Sequence, residues 1–323
     1  MKSGEAIGGY FGLELSAEPK SDEEAGFHTI RGALLALLSR LARENKRTTL
    51  WFPHFMCPSV DEVFESLHDR IVLRRYNIRP DLKPDVGELN EDDLFYSYNV
   101  FGLSEPETRS GAIVDNAHAF FSEPDPGQHA LYSVRKFIGV PDGAYLRSKL
   151  SLTPEKPFCI NDTTLFLLMR HDQGAEKGYG AYLCWEDQIF SGEVCGISNL
   201  SKAVLSTLDY SSIKARRISN FREIHSHLSH QNGLALQIDK ARTRADFVPY
   251  SYPFLVENGK QLRQKLIENR VYSPTLWPGL ESREGLTEFE KNLAVNTVHI
   301  PIDQRYQKSD MLKILEVLSK SLA

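Results

Sequence analysis

Two residue types at two strand ends offer the chemistry that stands out in this sequence. Lys136 sits in Leu131-Tyr132-Ser133-Val134-Arg135-Lys136-Phe137-Ile138-Gly139, an amine among apolar residues and beside Arg135. A neutral lysine amine is the nucleophile that adds to an aldehyde. Most lysines, by contrast, stand on solvated surfaces. Asp115 closes the apolar run Ile113-Val114 and opens a polar turn, Asn116-Ala117-His118. In open α/β sheets ligands lie beyond the carboxyl ends of strands, where this acid falls. An aspartate in such a place also serves as a helix cap.

The elements that must position these residues read as an α/β domain. Between about residues 28 and 150, helical periodicity alternates with short β-rich runs, the pattern of a parallel sheet. Ile30, Ala33, Leu34, Leu37, Leu38 and Leu41 form one face of a helix over 29–43. A strand is expected over 48–52, a helix over 58–69 and a strand over 71–78. Further short apolar strands are expected at 94–98, 112–114, 130–132 and 144–146, as in sheets covered on both faces. After Pro154 amphipathic helices dominate, at 200–208, 215–228, 260–269 and 309–322, with strands at 247–256 and 297–302. The organisation expected is a large domain with the N-terminal segment over 1–210 and a small C-terminal domain over 211–323.

Composition narrows the function classes. The chain has 323 residues, 41% hydrophobic and 25% charged, enough for a large domain and a smaller one. A net charge of -5 argues against a general nucleic-acid binder, which carries a basic face. Cys57, Cys159, Cys184 and Cys195 form no CxxC pair, so neither a disulfide framework nor a zinc knuckle is indicated, and a reducing cytoplasm is expected. The N-terminal Met1–Glu5 has no apolar signal-peptide core, and no stretch is long and apolar enough for a membrane span. No Gly-x-Gly-x-x-Gly follows a strand, which speaks against a dinucleotide-dependent hydride transfer. The cluster Arg216, Arg217, Asn220 and Arg222 is expected on a solvated helix face.

Taken together, Asp115 and the later Ser133-Val134-Arg135-Lys136 resemble the cofactor-binding core of type I pyridoxal-phosphate enzymes. Within that fold the chain is similar to a divergent, short subgroup of the DegT/StrS-like nucleotide-sugar aminotransferases. Gly8-Gly9-Tyr10-Phe11, Thr29-Ile30-Arg31-Gly32-Ala33-Leu34 and Phe52-Pro53-His54-Phe55-Met56-Cys57 fall in the family's order. So do Tyr76-Asn77-Ile78, Tyr98-Asn99-Val100-Phe101-Gly102 and Ile300–Tyr306.

The resemblance implies a type I pyridoxal-phosphate transferase fold, a mostly parallel α/β large domain with a smaller α+β domain. It also implies a homodimer with sites near the interface, and pyridoxal 5'-phosphate as cofactor. Lys136 would hold the cofactor covalently and move the proton, while Asp115 would keep the pyridine nitrogen protonated. Thr29, Ile30 and Arg31 would bind the phosphate at a helix N-terminus, with Ser133 as a second contact; Thr29 is equally suited to be an N-cap alone. His118 matches a position that contacts the ring or its 3-oxygen, commonly a glutamine, and a structural histidine fits the same sequence.

Two departures follow. The aromatic expected over the cofactor ring falls at Cys57, so either Phe55 stacks, or the ring rests on sulfur, or Cys57 is a small buried hydrophobe. Residues 150–200 match no segment of the family. The activity implied is amino transfer from a donor such as glutamate to a nucleotide-linked keto-sugar, in surface polysaccharide or amino-sugar biosynthesis. A lyase or dehydratase with the same cofactor, or a binding protein on the same fold, are the alternatives.

Overall fold

The computed structural model describes residues 7–10, 26–42, 47–105 and 107–322. Met1–Glu5 and Phe11 lie outside them. Twelve strands are present among the described residues: β1 Ile7–Gly8, β2 Gly26–Phe27, β3 Thr48–Pro53, β4 Ile71–Ile78, β5 Pro84–Asp85, β6 Leu94–Tyr98, β7 Ile113–Asp115, β8 His129–Ser133, β9 Ala144–Arg147, β10 Tyr252–Leu255, β11 Val271–Tyr272 and β12 Thr297–Ile300. Eight of them form one sheet in the order β2-β9-β8-β7-β6-β3-β4-β5. Its centre, β4-β3-β6-β7-β8, is parallel, and β2, β9 and β5 join antiparallel.

The helix α1, Ile30–Leu41, packs on β8 and β9. It starts where Thr29, in an extended conformation, accepts the Gly32 N–H on its hydroxyl at 3.0 Å. Leu37 and Leu38 are fully enclosed on its inner face. Burial of this kind stabilises by about 1.5–3 kcal/mol per side chain. Beyond β3 the expected helix over 58–69 is only a 3-10 turn, Pro58–Val60, followed by the short α2, Asp61–Glu65. The unmatched middle of the chain folds as a helical hairpin, α3 Phe166–Gln173 and α4 Ala175–Gln188, turning at Gly174 with φ +93°. Its core is Phe166, Leu167, Trp185 and Ile189, with Tyr10 packed against it.

Next come α5 Asn199–Ser206, α6 Tyr210–Leu228 and α7 Ala235–Ala241. The C-terminal part adds α8 Gly259–Glu268, α9 Glu288–Asn296 and α10 Lys308–Leu322 around the antiparallel pair β10-β12. The N-terminal β1 pairs in parallel with β11, so both ends of the chain meet in this part. Glu290, fully buried, closes a capping box with Thr287 at the start of α9. The same carboxylate accepts the Ile78 N–H at 2.8 Å and the Asn77 side chain at 2.7 Å, tying α9 to β4.

Candidate active site

Parallel pairing sends the carboxyl ends of β3, β6, β7 and β8 to one edge of the sheet. The register sets Tyr98 beside Asp115 and Asp115 beside Leu131, so the acid is the last residue of its strand. Ser133 closes β8, paired with Ala144, and Lys136 follows in the next turn. That turn is tied to α1 through one glycine. The Val134 N–H bonds the Gly143 carbonyl at 3.1 Å, and the Gly143 N–H bonds the His28 carbonyl at 2.7 Å. Gly143 has φ +137°, and a Cβ there would meet Ile197 and Val134 at 3.0 and 3.2 Å. Only glycine suits this crossing.

Asp115 is buried and accepts two hydrogen bonds, from the Tyr96 hydroxyl on Oδ2 at 2.6 Å and from the Ala117 N–H on Oδ1 at 2.8 Å. Burial pushes its pKa up, while Tyr96, Ala117 and the nearby Lys136 pull it back. His118 is 1% exposed and stacks near-parallel to the rings of Tyr250, at 4.8 Å and 14°, and Trp277, at 6.1 Å and 15°. Its Nδ1 is 2.7 Å from the Tyr98 hydroxyl. Burial, with the charge of Lys136 adding to it, keeps the imidazole neutral by lowering its pKa well below the ordinary value.

Lys136 is half-buried, its Nζ 5.6 Å from the centre of the Tyr250 ring. Its neighbour Arg135 bonds Glu186 of α4 at 2.6 Å and stacks 4.1 Å over Trp185. The hairpin thus reaches the lysine turn from outside the sheet. Burial opposes the charge of Glu186, yet Arg135 and Lys136 hold its carboxyl below the usual range.

The remaining expected site residues lie at the same edge in different situations. Thr29 caps α1, and the first turn of α1 carries main-chain N–H groups that no helical carbonyl reaches. The guanidinium of Arg31 bonds Glu62 at 2.7 Å and lies 4.9 Å over Phe190, so this residue offers an anion its main-chain N–H. Phe55 is fully enclosed, its ring 5.9 Å from Phe101 and 5.8 Å from Trp277. Cys57 is half-buried, a free thiol 3.0 Å from the Ser59 hydroxyl.

The arginine cluster on α6 corrects the expectation of a solvated face. Arg216 and Arg222 are exposed, but Arg217 is fully buried and Asn220 nearly so. Arg217 donates to the carbonyls of Phe137, Pro249 and Tyr250 at 3.0–3.1 Å and to Gln304 at 2.8 Å. It therefore fastens the chain just after Lys136 to the segment carrying Tyr250. Asn220 does the same for Ile302, Asp303 and Tyr306.

Five residues around the site were given no site role from the sequence: Tyr96, Tyr98, Glu186, Tyr250 and Trp277. The first two had a signal, since positions two apart on a strand share a face and β6 neighbours β7. The other three come from distant parts of the chain, where no spacing links them to Lys136.

The edge holds an amine, a buried acid, a neutral imidazole stacked against two aromatic rings, and a helix N-terminus. Such a set suits a flat heteroaromatic ring bearing an anionic group. One observation agrees with a ligand here: among the described residues, His118 Nε2 is one of the buried side-chain atoms with no hydrogen-bond partner. Leaving such an atom unsatisfied costs about 1–3 kcal/mol.

No family model matches the sequence, and no curated protein matches it. Solved structures do match. The chain covers 98% of its length against 100% of a putative sugar aminotransferase, Spr1654 from Streptococcus pneumoniae in its PLP-form, with a TM-score of 0.60 and 12% identity. A DegT DnrJ EryC1 StrS aminotransferase from Brucella abortus matches at TM-score 0.62 and 13% identity, over 93% of this chain and 86% of that one. Helicobacter pylori PseC, an aminotransferase involved in the biosynthesis of pseudoaminic acid, matches at 0.61 and 14%, over 92% and 85%. The chain has the fold of the pyridoxal-phosphate-dependent aminotransferases, and among these the fold of the DegT/StrS-like sugar aminotransferases.

Proposed function

We propose that this chain is a pyridoxal-phosphate-dependent aminotransferase that transfers an amino group to a nucleotide-linked keto-sugar. The observation that carries the proposal is the convergence at one sheet edge of Asp115, Lys136 and the first turn of α1, the last two joined through Gly143. The likeness to sugar aminotransferases supports the substrate class. When bound, pyridoxal phosphate supplies an aldehyde that takes up amines and a ring that accepts an electron pair from the substrate carbon.

The chain's own residues then divide the work. Lys136 would hold the cofactor through its amine and would move the proton at the substrate carbon. Asp115, held by Tyr96 and Ala117, would keep a proton on the ring nitrogen. The first turn of α1, with Thr29, Ile30 and Arg31, and Ser133 would hold the phosphate. His118, stacked against Tyr250 and Trp277, would donate to the ring's oxygen. Glutamate gives up its amino group and α-hydrogen, takes its keto oxygen from water and leaves as 2-oxoglutarate. The keto carbon of the sugar gains that amino group and a hydrogen and loses its oxygen as water.

Purified chain incubated with pyridoxal phosphate, glutamate and a panel of nucleoside-diphosphate keto-sugars tests this. Equal amounts of 2-oxoglutarate and amino-sugar are expected. If no amino donor yields its keto acid, the proposal fails. The same proposal takes 1–210 and 211–323 as the two domains, and a cytoplasmic homodimer as the working form. Sedimentation equilibrium is expected to give twice the chain mass, and a monomer that retains full activity would contradict the dimer.

A further inference from the structure

Tyr98 closes β6 beside Asp115 at the candidate site, its ring 5.9 Å from that of Trp277, and the one side chain it hydrogen-bonds there is His118. The two rings meet at 5.8 Å and 66°, with the hydroxyl 2.7 Å from Nδ1. Three arrangements of protons satisfy that distance, and they differ in what they leave unpaired. If Nδ1 carries the hydrogen and donates to the tyrosine oxygen, the tyrosine proton loses its acceptor and Nε2 is left as an unpaired acceptor. If both nitrogens carry hydrogen, a cation stands fully buried within reach of the Lys136 charge, an expensive arrangement. If the hydroxyl donates to Nδ1, the hydrogen of the ring sits on Nε2 and a single donor is left without a partner.

The surroundings favour the last arrangement. Burial and the nearby Asp115 push the Tyr98 pKa well above its ordinary value, so its proton is present to donate. The imidazole is stacked against Tyr250 and Trp277 and is 1% exposed. Tyr98 itself is 4% exposed and so is screened from water that would compete for the bond.

We propose that Tyr98 is a positioning residue for the candidate site: by donating to His118 Nδ1 it fixes the ring's hydrogen on Nε2. His118 is then a neutral donor whose proper partner is an acceptor oxygen, such as the phenolic oxygen of the cofactor, and not a hydroxyl or amine that must itself donate. This assignment rests on the proposed cofactor for the identity of that oxygen, but the tautomer belongs to the protein alone. It also explains why a histidine can stand where a side-chain amide would serve in a similar site. An amide brings its own N–H, whereas a histidine needs a second residue to decide which nitrogen bears the hydrogen.

The test is made first without cofactor. Long-range proton–nitrogen correlation spectra of apo protein labelled at histidine, with His118→Gln to assign the signal, report the tautomer directly. The neutral ring with hydrogen on Nε2 is expected. Tyr98→Phe, which removes one oxygen and keeps the ring, is expected to give a mixture of tautomers. A wild-type signal with hydrogen on Nδ1, or an unchanged tautomer in Tyr98→Phe, overturns the proposal. Because the wild-type spectrum needs no variant, a Tyr98→Phe chain that fails to fold leaves that decision intact.

The second arm adds pyridoxal phosphate. Tyr98→Phe is expected to bind it about tenfold more weakly or less, the scale of one hydrogen bond, and to shift the balance between the two visible bands of the lysine-bound form. An unchanged balance of bands contradicts the link to the ligand oxygen. If neither protein takes up the cofactor, the functional proposal fails while the apo tautomer still stands or falls by itself.

Discussion

The carboxyl edge of β6-β7-β8 and the α3–α4 hairpin both support the turn that carries Lys136, and they do so by different means. At the sheet edge, main-chain pairing sets the register: Tyr98, Asp115 and Leu131 stand side by side because their strands are bonded. The hairpin holds by side chains. Tyr10 stacks on Tyr182 at 4.8 Å and 7°, Phe166 packs on Trp185 at 4.8 Å, and Arg170 lies 4.5 Å over Tyr10. It reaches the site through Trp185 and Glu186 on Arg135, while Leu165, Leu168, Tyr179 and Leu183 are exposed on its other side. Chemistry is thus placed by backbone, and its outer wall by aromatic contacts that single substitutions can remove.

Substitutions separate the two regions. At the sheet edge, Lys136→Ala is expected to lower amino transfer by about 10²–10⁴-fold or more, with little change in urea midpoint. Asp115→Asn is expected to cost about 10²–10³-fold in kcat while cofactor still binds; unchanged kcat would remove the acid from the chemistry. In the hairpin the order is reversed. Trp185→Ala, emptying a buried aromatic site, is expected to destabilise by about 3–5 kcal/mol in urea unfolding, with faster amide exchange in α3 and α4. Exchange that is faster only elsewhere would show that the hairpin is not held by this ring.

Two neighbours on α6 give a sharper contrast. Arg217→Met strands the carbonyls of Phe137 and Tyr250 and is expected to destabilise by about 1–3 kcal/mol, whereas the exposed Arg216→Met is expected to change stability by less than about 0.5 kcal/mol. Equal effects would undo the account of the buried guanidinium.

Acid supplies a smaller test. Burial pushes His299 down to about 3 in the folded chain, against about 6.5 for an unperturbed histidine. The unfolded chain therefore binds a proton that the folded chain refuses, and the contribution of His299 is complete above about pH 6.5 and falls away towards pH 3. His299→Gln is expected to flatten the fall of the urea midpoint between pH 7 and pH 5 to a degree about set by these values. An identical slope would mean that the ring is protonated in the fold. The smallest effect is expected for Leu168→Ser, within about 0.5 kcal/mol.

The same contrast explains what the sequence made legible. β4 and β6 fall where alternation and β-branched or aromatic content place them, at 71–78 and 94–98. β7 begins and ends one residue later than expected, which makes Asp115 its last strand residue. These strands are central and paired on both sides, so local pattern and tertiary need agree. The helix over 58–69 shrank because Ser66 to Arg70 form a turn that feeds β4, ending the helix after Glu65. The hairpin was invisible because Gly178 and Gly180, poor helix formers, stand inside α4 and several of its apolar residues face outward. Arg217 looked like surface because charge on a helix usually is, and only three carbonyls from two distant segments give it a buried place.

The central claim is that Lys136 is the amine that holds the cofactor. Borohydride reduction of the chain loaded with pyridoxal phosphate, followed by proteolysis and mass spectrometry, tests it most directly. The account predicts one phosphopyridoxyl group, on the peptide containing Lys136, and none in Lys136→Ala or in protein first incubated with excess glutamate. Modification at another lysine, or label spread over surface lysines with Lys136 untouched, would contradict it.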